Sequence, residues 1–133
     1  MQNIRYKQRF QNYENAFTML KDSLKIEDPS ILEKAGIIQF FELAFEIGWK
    51  LLKDYCEFEG YTVNSPREAI KTAYMANIIN DVETWIKALN DRNLTVHVYD
   101  EEIANEVYNK IKTEYFDILE NLYNKFRKEL CSD

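Results

Sequence analysis

The single histidine of this sequence lies in the decapeptide Asp91-Arg92-Asn93-Leu94-Thr95-Val96-His97-Val98-Tyr99-Asp100. The stretch is dense in polar side chains, yet it falls between two apolar helical segments. An imidazole exchanges protons near neutral pH, and a guanidinium grips carboxylates or phosphates through paired hydrogen bonds. Arg92, Asn93, His97 and Tyr99 are therefore the candidates for chemistry. Each also has a purely structural reading. A lone histidine can be a satisfied structural residue, Arg92 can pair with Asp91 or Asp100 at a bundle end, and Tyr99 can be core. Helical geometry adds a constraint. Arg92 and Tyr99 are seven positions apart and share a face, whereas Arg92 and His97 stand about 140° apart around an ideal helix. Either the helix loosens before Asp100, or a second chain completes the site.

Other chemistries lack their residues. Structural zinc needs four nitrogen or sulfur ligands at close spacing, and here one His and two widely separated Cys offer none. Glu42 and Glu46, one turn apart, suggest a carboxylate cage for magnesium. An i,i+4 pair of Glu46 with Lys50 on a solvated stripe explains them better. No glycine-rich phosphate loop and no nucleophile elbow occurs. No metal and no cofactor is expected.

The elements that must position the decapeptide are helical. Tyr6, Phe10, Tyr13, Phe17, Leu20 and Leu24 recur at threes and fours and predict a first helix over about 4–25. Asp28-Pro29 predicts the cap of a second helix that ends near Phe58, before Gly60. Ser65-Pro66-Arg67-Glu68 and Asn80-Asp81-Val82-Glu83 read as capping boxes that open two further helices. Asp100 caps a last helix to about Leu130, with the stripe Ile103, Val107, Ile111, Tyr115, Ile118, Leu122 and Phe126. Short connections make neighbouring helices antiparallel. The expectation is an all-α, up-and-down antiparallel bundle of four long helices and one short one, in a single domain over 1–133. The second helix is apolar nearly all round, leaving a narrow polar stripe of Gln39, Glu42, Glu46, Lys50 and Lys53. Such a helix is buried on more than one side. A second subunit supplies that other side, or the helix is wrapped wholly by its own chain.

Bulk composition agrees. A 133-residue chain with 46% hydrophobic and 30% charged residues holds a real core without staples. Its net charge of -6 disfavours indiscriminate binding to nucleic acid, so any RNA contact needs a local basic patch. Cys56 sits in an apolar run and reads as core, and Cys131 sits in a polar tail. Neither suggests a disulfide framework. No run is long enough to span a bilayer, and the N-terminus lacks a signal-peptide core. A soluble, cytoplasmic protein with no membrane partner is expected.

Arg92-x4-His97-x-Tyr99 resembles the Arg-x4-to-6-His signature of HEPN domains (higher eukaryotes and prokaryotes nucleotide-binding), in the variant of the HepT-like branch. The stretch Asp91 to Glu102 is similar to that branch, as are Phe41 to Lys53 and Ser65 to Ile70. The three stretches lie in order and cover most of the chain. This branch is often described as nucleotidyltransferase substrate-binding protein. The resemblance implies a small dimeric helical bundle working with a minimal nucleotidyltransferase. In the better understood branch the HEPN subunit is an RNA-cleaving toxin, and the transferase is an antitoxin that adds AMP to the motif tyrosine.

Carried onto this chain, the resemblance makes His97 a general acid or base toward the ribose 2′-hydroxyl or the leaving 5′-oxygen. Arg92 would hold the scissile phosphate and stabilise charge in the transition state. Asn93 would orient the imidazole or contact a phosphate, and Tyr99 would accept AMP. Proton transfer at two oxygens is thin work for one imidazole, and a homodimer would supply two. Lys87, Arg67 and Lys71 are candidates to add positive charge to the cleft. The alternative is a non-catalytic subunit that binds substrate or nucleotide for the transferase.

Overall fold

The computed structural model describes the backbone of residues 2–131 and the side chains of residues 4–130, so the Cys131 thiol lies outside the described residues. Helices α1 (Gln2–Ser23), α2 (Ile31–Phe58), α3 (Pro66–Met75) and α4 (Val82–Arg92) are followed by a 3-10 turn, Asn93–His97. A final rod consists of α5 (Glu101–Lys110), a π turn (Ile111–Tyr115) and α6 (Phe116–Cys131). The described residues form no strand.

Local chemistry explains most boundaries, with two shifts from the sequence expectation. The cap of α2 is Ser30, not Asp28, whose φ of 48° puts it in the left-handed region. Ser30 and Glu33 form a reciprocal capping box, which satisfies two end N–H groups that the proline alone would leave open. Likewise Asp81, one residue later than expected, caps α4 by accepting from the Thr84 N–H. Ser65 and Asp100 cap α3 and α5 as predicted. Gly60 ends α2 at φ 100°, where the N–H groups of Gly60 and Tyr61 reach back to the carbonyls of Glu57 and Cys56.

Helix α2 is the central post. Its Ile37, Ile38, Phe41, Ala44, Phe45, Leu51, Leu52 and Cys56 are buried against the rest of the chain. The expected α1 stripe from Tyr6 to Leu20 is buried and runs along it. At Gly48 the packing is so close that a Cβ would meet Tyr13 Cε1 at 3.1 Å. The chain thus wraps most of α2 itself. Part of what stays open is a row at helical spacing, with Leu32 82% and Leu43 45% exposed and Gln39 between them.

The last rod keeps the predicted stripe. Its first three intervals are steps of four, which would carry a stripe about 120° around an ideal helix. The wider π turn at Ile111–Tyr115 takes up part of that drift, marked by the Phe116 N–H bonding the Ile111 carbonyl. Ile111, Tyr115, Ile118, Leu122 and Phe126 all remain buried. Among the described residues, no helix is long and apolar enough to cross a membrane.

Candidate functional site

Helix α4 changes winding at Arg92. From Asn93 to His97 the chain is a 3-10 turn, in which side chains three apart eclipse one another. Three columns result. Arg92, Thr95 and Val98 face α2: Thr95 is buried, and its hydroxyl donates to the Arg92 carbonyl at 2.8 Å. Asn93, Val96 and Tyr99 face outward, with Val96 70% and Tyr99 82% exposed. Leu94 packs on the core, while His97 beyond it is exposed. The α-helix does end before Asp100, but it tightens into a 3-10 turn instead of loosening, which does not bring Arg92 onto His97 and puts Tyr99 on a different column from Arg92. Among the described residues no hydrogen bond or ion pair joins them.

Each of the two has a different partner. Arg92 Nη1 donates to Glu46 Oε2 at 2.7 Å, which fixes the guanidinium against the middle of α2. Asp91 and Asp100, the sequence-adjacent alternatives, are spent elsewhere. Asp100 caps α5, while Asp91 accepts from the Tyr115 hydroxyl and lies 3.3 Å from Lys110 Nζ. The pair of Glu46 with Lys50 exists, but at 4.0 Å it is the looser of Glu46's two contacts. His97 Nδ1 lies 3.1 Å from the Tyr99 hydroxyl, with the rings edge to face. That hydroxyl, rather than Asn93, is the imidazole's partner, because the 3-10 winding stacks Asn93 beneath Val96 and Tyr99 instead of beneath His97.

A groove of about 350 Å³ runs between α2 and the inward column, lined by Leu32, Gly36, Gln39, Glu42, Thr95 and Val98 among others. Gly36 opens its wall, since nothing lies within 4 Å of where a Cβ would stand. The groove is not strongly basic. Glu42 lines it, and Arg92 at its side is neutralised by Glu46. Lys87 does not add free charge, because its ammonium is 2.7 Å from Glu114. Arg67 and Lys71 are exposed on α3. Among the described residues no three His, Cys, Asp or Glu side chains cluster as a metal site would need.

The inner support of the motif went unread in the sequence. Burial, and then the hydrogen bond to Asp91, push the Tyr115 hydroxyl well above the ordinary tyrosine range. Partial desolvation works against the charge on Lys110, yet the contacts to Asp91 and Glu106 outweigh it and raise its pKa. This network ties the residue preceding Arg92 to the π turn. Glu46, Lys110 and Tyr115 lie far from Arg92 in sequence, so no local spacing signals them.

Comparison with known proteins adds a family and a fold. A family model for nucleotidyltransferase substrate binding protein like chains matches residues 8–128. A Thermus thermophilus protein of solved crystal structure is 33% identical and superposes with a TM-score of 0.80, over 86% of this chain and 98% of that one. A Haemophilus influenzae structure, described as revealing the fold of a substrate binding domain of a nucleotidyltransferase, is 23% identical with a TM-score of 0.67, over 96% and 99% of the two chains. A "Probable ribonuclease HepT" from Haemophilus influenzae is 30% identical over 91 residues, which span 62% of this chain and 62% of that relative's length.

Proposed function

The chain belongs to the nucleotidyltransferase substrate-binding protein family, of HepT-like type, and from that premise we propose that it is a metal-independent endoribonuclease. In this reading it is the toxin of a toxin-antitoxin pair, and its partner is a minimal nucleotidyltransferase that restrains it by transferring AMP to Tyr99. The observation that carries the reading is the exposed contact of His97 Nδ1 with the Tyr99 hydroxyl, on a turn whose other face holds Arg92. A proton-transfer group, an accessible acceptor for modification and a phosphate-holding group thus share one short segment.

The step is in-line transfer. The ribose 2′-oxygen attacks phosphorus and its proton passes to a neutral imidazole. The bond from phosphorus to the 5′-oxygen breaks, and that oxygen takes a proton from an imidazolium. A 2′,3′-cyclic phosphate and a 5′-hydroxyl result. Arg92 exchanges Glu46 for the phosphate and follows the charge that develops on it. Two imidazoles are needed, and a homodimer across the open α2 row would supply them. Leu32 and Leu43 offer the apolar part of that contact beside the groove.

AMP transfer forms a bond between the Tyr99 oxygen and the α-phosphorus of ATP, and pyrophosphate leaves. The hydroxyl proton that His97 can share is then gone, and a phosphodiester stands beside the imidazole. Bulk and charge block an incoming RNA strand together.

Purified wild type incubated with RNA should cleave it, and His97→Ala and Arg92→Ala should each lose about 10²–10⁴-fold of the rate. Equal rates in all three would remove the ribonuclease reading. With an active nucleotidyltransferase partner and ATP, Tyr99 should gain one AMP by mass, and Tyr99→Phe should gain none. Light scattering should report a dimer that Leu32→Lys dissociates. One observation favours the second reading, a non-catalytic substrate-binding subunit: Arg92 is already occupied by Glu46 in the single chain. Clean dimers that bind RNA without cutting it would select that reading.

A further inference from the structure

A second concavity lies away from the motif. It occupies about 290 Å³ between the α3–α4 connection and one face of α6. Ile78, Trp85 and Leu122 contribute apolar side chains to it, all three almost wholly buried. Its rim is polar: Asn77 and Asn80 from the connection, Asn121 and Lys125 one turn apart on α6. Among the described residues, none of these four side chains is spent on an intrachain hydrogen bond or ion pair. Asn80 owes its freedom to the shifted cap. The sequence pattern assigns it to the start of α4, but Asp81 takes that role. Asn77 stands at φ 63°, a left-handed conformation that asparagine tolerates better than most residues. The site is nearly neutral, since the Asp81 carboxylate accepts from the helix N–H and Lys125 offsets its charge.

An apolar floor beneath several amides, each with a donor and an acceptor, suits a flat heterocycle that carries both. Asparagine pairs with the adenine edge through two hydrogen bonds. A cavity of this size is at the small end for small-molecule sites. We propose that this concavity binds a nucleobase, adenine first among them, as a site separate from the Arg92–His97 segment. The two lie at opposite ends of α4, which has 11 residues and is about 16 Å long. The inference does not depend on ribonuclease activity.

Trp85 reports on the site. In a Trp49→Phe background it is the sole tryptophan, and adenosine titrated into the full-length protein should change its emission saturably. Asn121→Leu should weaken binding about tenfold, the value of one lost hydrogen-bonding group. His97→Ala and Arg92→Ala should bind as the parent does, so failure of the catalytic reading leaves this result standing. Amide shifts at Asn77, Asn80 and Asn121 should move with the same midpoint. Saturation by adenosine or by a short oligoadenylate supports the proposal, and the tighter of the two shows whether a free nucleotide or a strand supplies the base. No saturable change at millimolar adenosine or oligoadenylate, or equal titration of Asn121→Leu, overturns it.

Discussion

Two tyrosines flank the motif, and their settings are opposite. Tyr115 is fully buried in the π turn, stacked on Phe41 with centroids 5.5 Å apart, and donates to Asp91. Tyr99 is 82% exposed and touches His97. One phenol is locked by packing and holds the backbone beside Arg92 in place. The other has almost nothing around it but the imidazole. Residue type alone therefore assigns neither setting: Tyr115 belongs to the packed side of the motif and Tyr99 to its solvent side. The 3-10 winding separates them, because it sorts neighbouring residues into columns instead of one smooth stripe.

The largest expected effect tests the inner face. Asp91→Ala leaves a buried hydroxyl and a half-buried ammonium without their shared acceptor, and should cost about 1–3 kcal/mol in urea unfolding. Tyr99→Phe, outside, should change stability by less than about 0.5 kcal/mol. Equal costs for the two variants would erase the distinction between the faces.

Much of this arrangement was legible beforehand. The buried stripes on α1 and on the last rod follow from hydrophobic spacing, because burial of one face is a local and repeated signal. The candidate residues were legible because histidine occurs once and Arg, Asn and Tyr surround it. The positions of Ser30 and Asp81 as caps were not, since adjacent polar residues compete for a cap and only the final chain path decides. Glu46 was legible only as half of a pair with Lys50. Its shorter contact comes from α4, and a contact across 46 positions leaves no mark on local spacing. The Tyr115–Asp91 bond escaped for the same reason. The wrapping of α2 is also a tertiary outcome: a helix apolar nearly all round does not say whose side chains cover it.

Glu46 sharpens the comparison from the groove side. Its carboxylate and the Arg92 guanidinium are both partly exposed, so the pair contributes little to stability. Glu46→Gln should alter unfolding by less than about 1 kcal/mol. RNA affinity should nevertheless rise severalfold, because a phosphate no longer competes with a carboxylate for Arg92. Measured by filter binding at fixed salt, a fall in affinity would mean that Glu46 positions the guanidinium for phosphate instead of withholding it.

The smallest effect concerns protons on the inner face. Tyr115 has its folded-state pKa raised, by burial first and then by the bond to Asp91, and burial does the same for Tyr13. An acid with a raised pKa keeps its proton in the fold while the unfolded chain releases it. The stability this represents is complete below the unfolded value of about 10 and drains away as pH rises above it. Wild type should therefore lose stability beyond pH 10, and Tyr115 alone should account for less than about 1 kcal/mol of that loss by pH 10.5. Tyr115→Phe removes that share, so its stability should fall less steeply than wild type over the same half unit. Parallel slopes for the two proteins would mean that burial and Asp91 do not hold the Tyr115 proton, and the inner face would then lose its claim to be the rigid one.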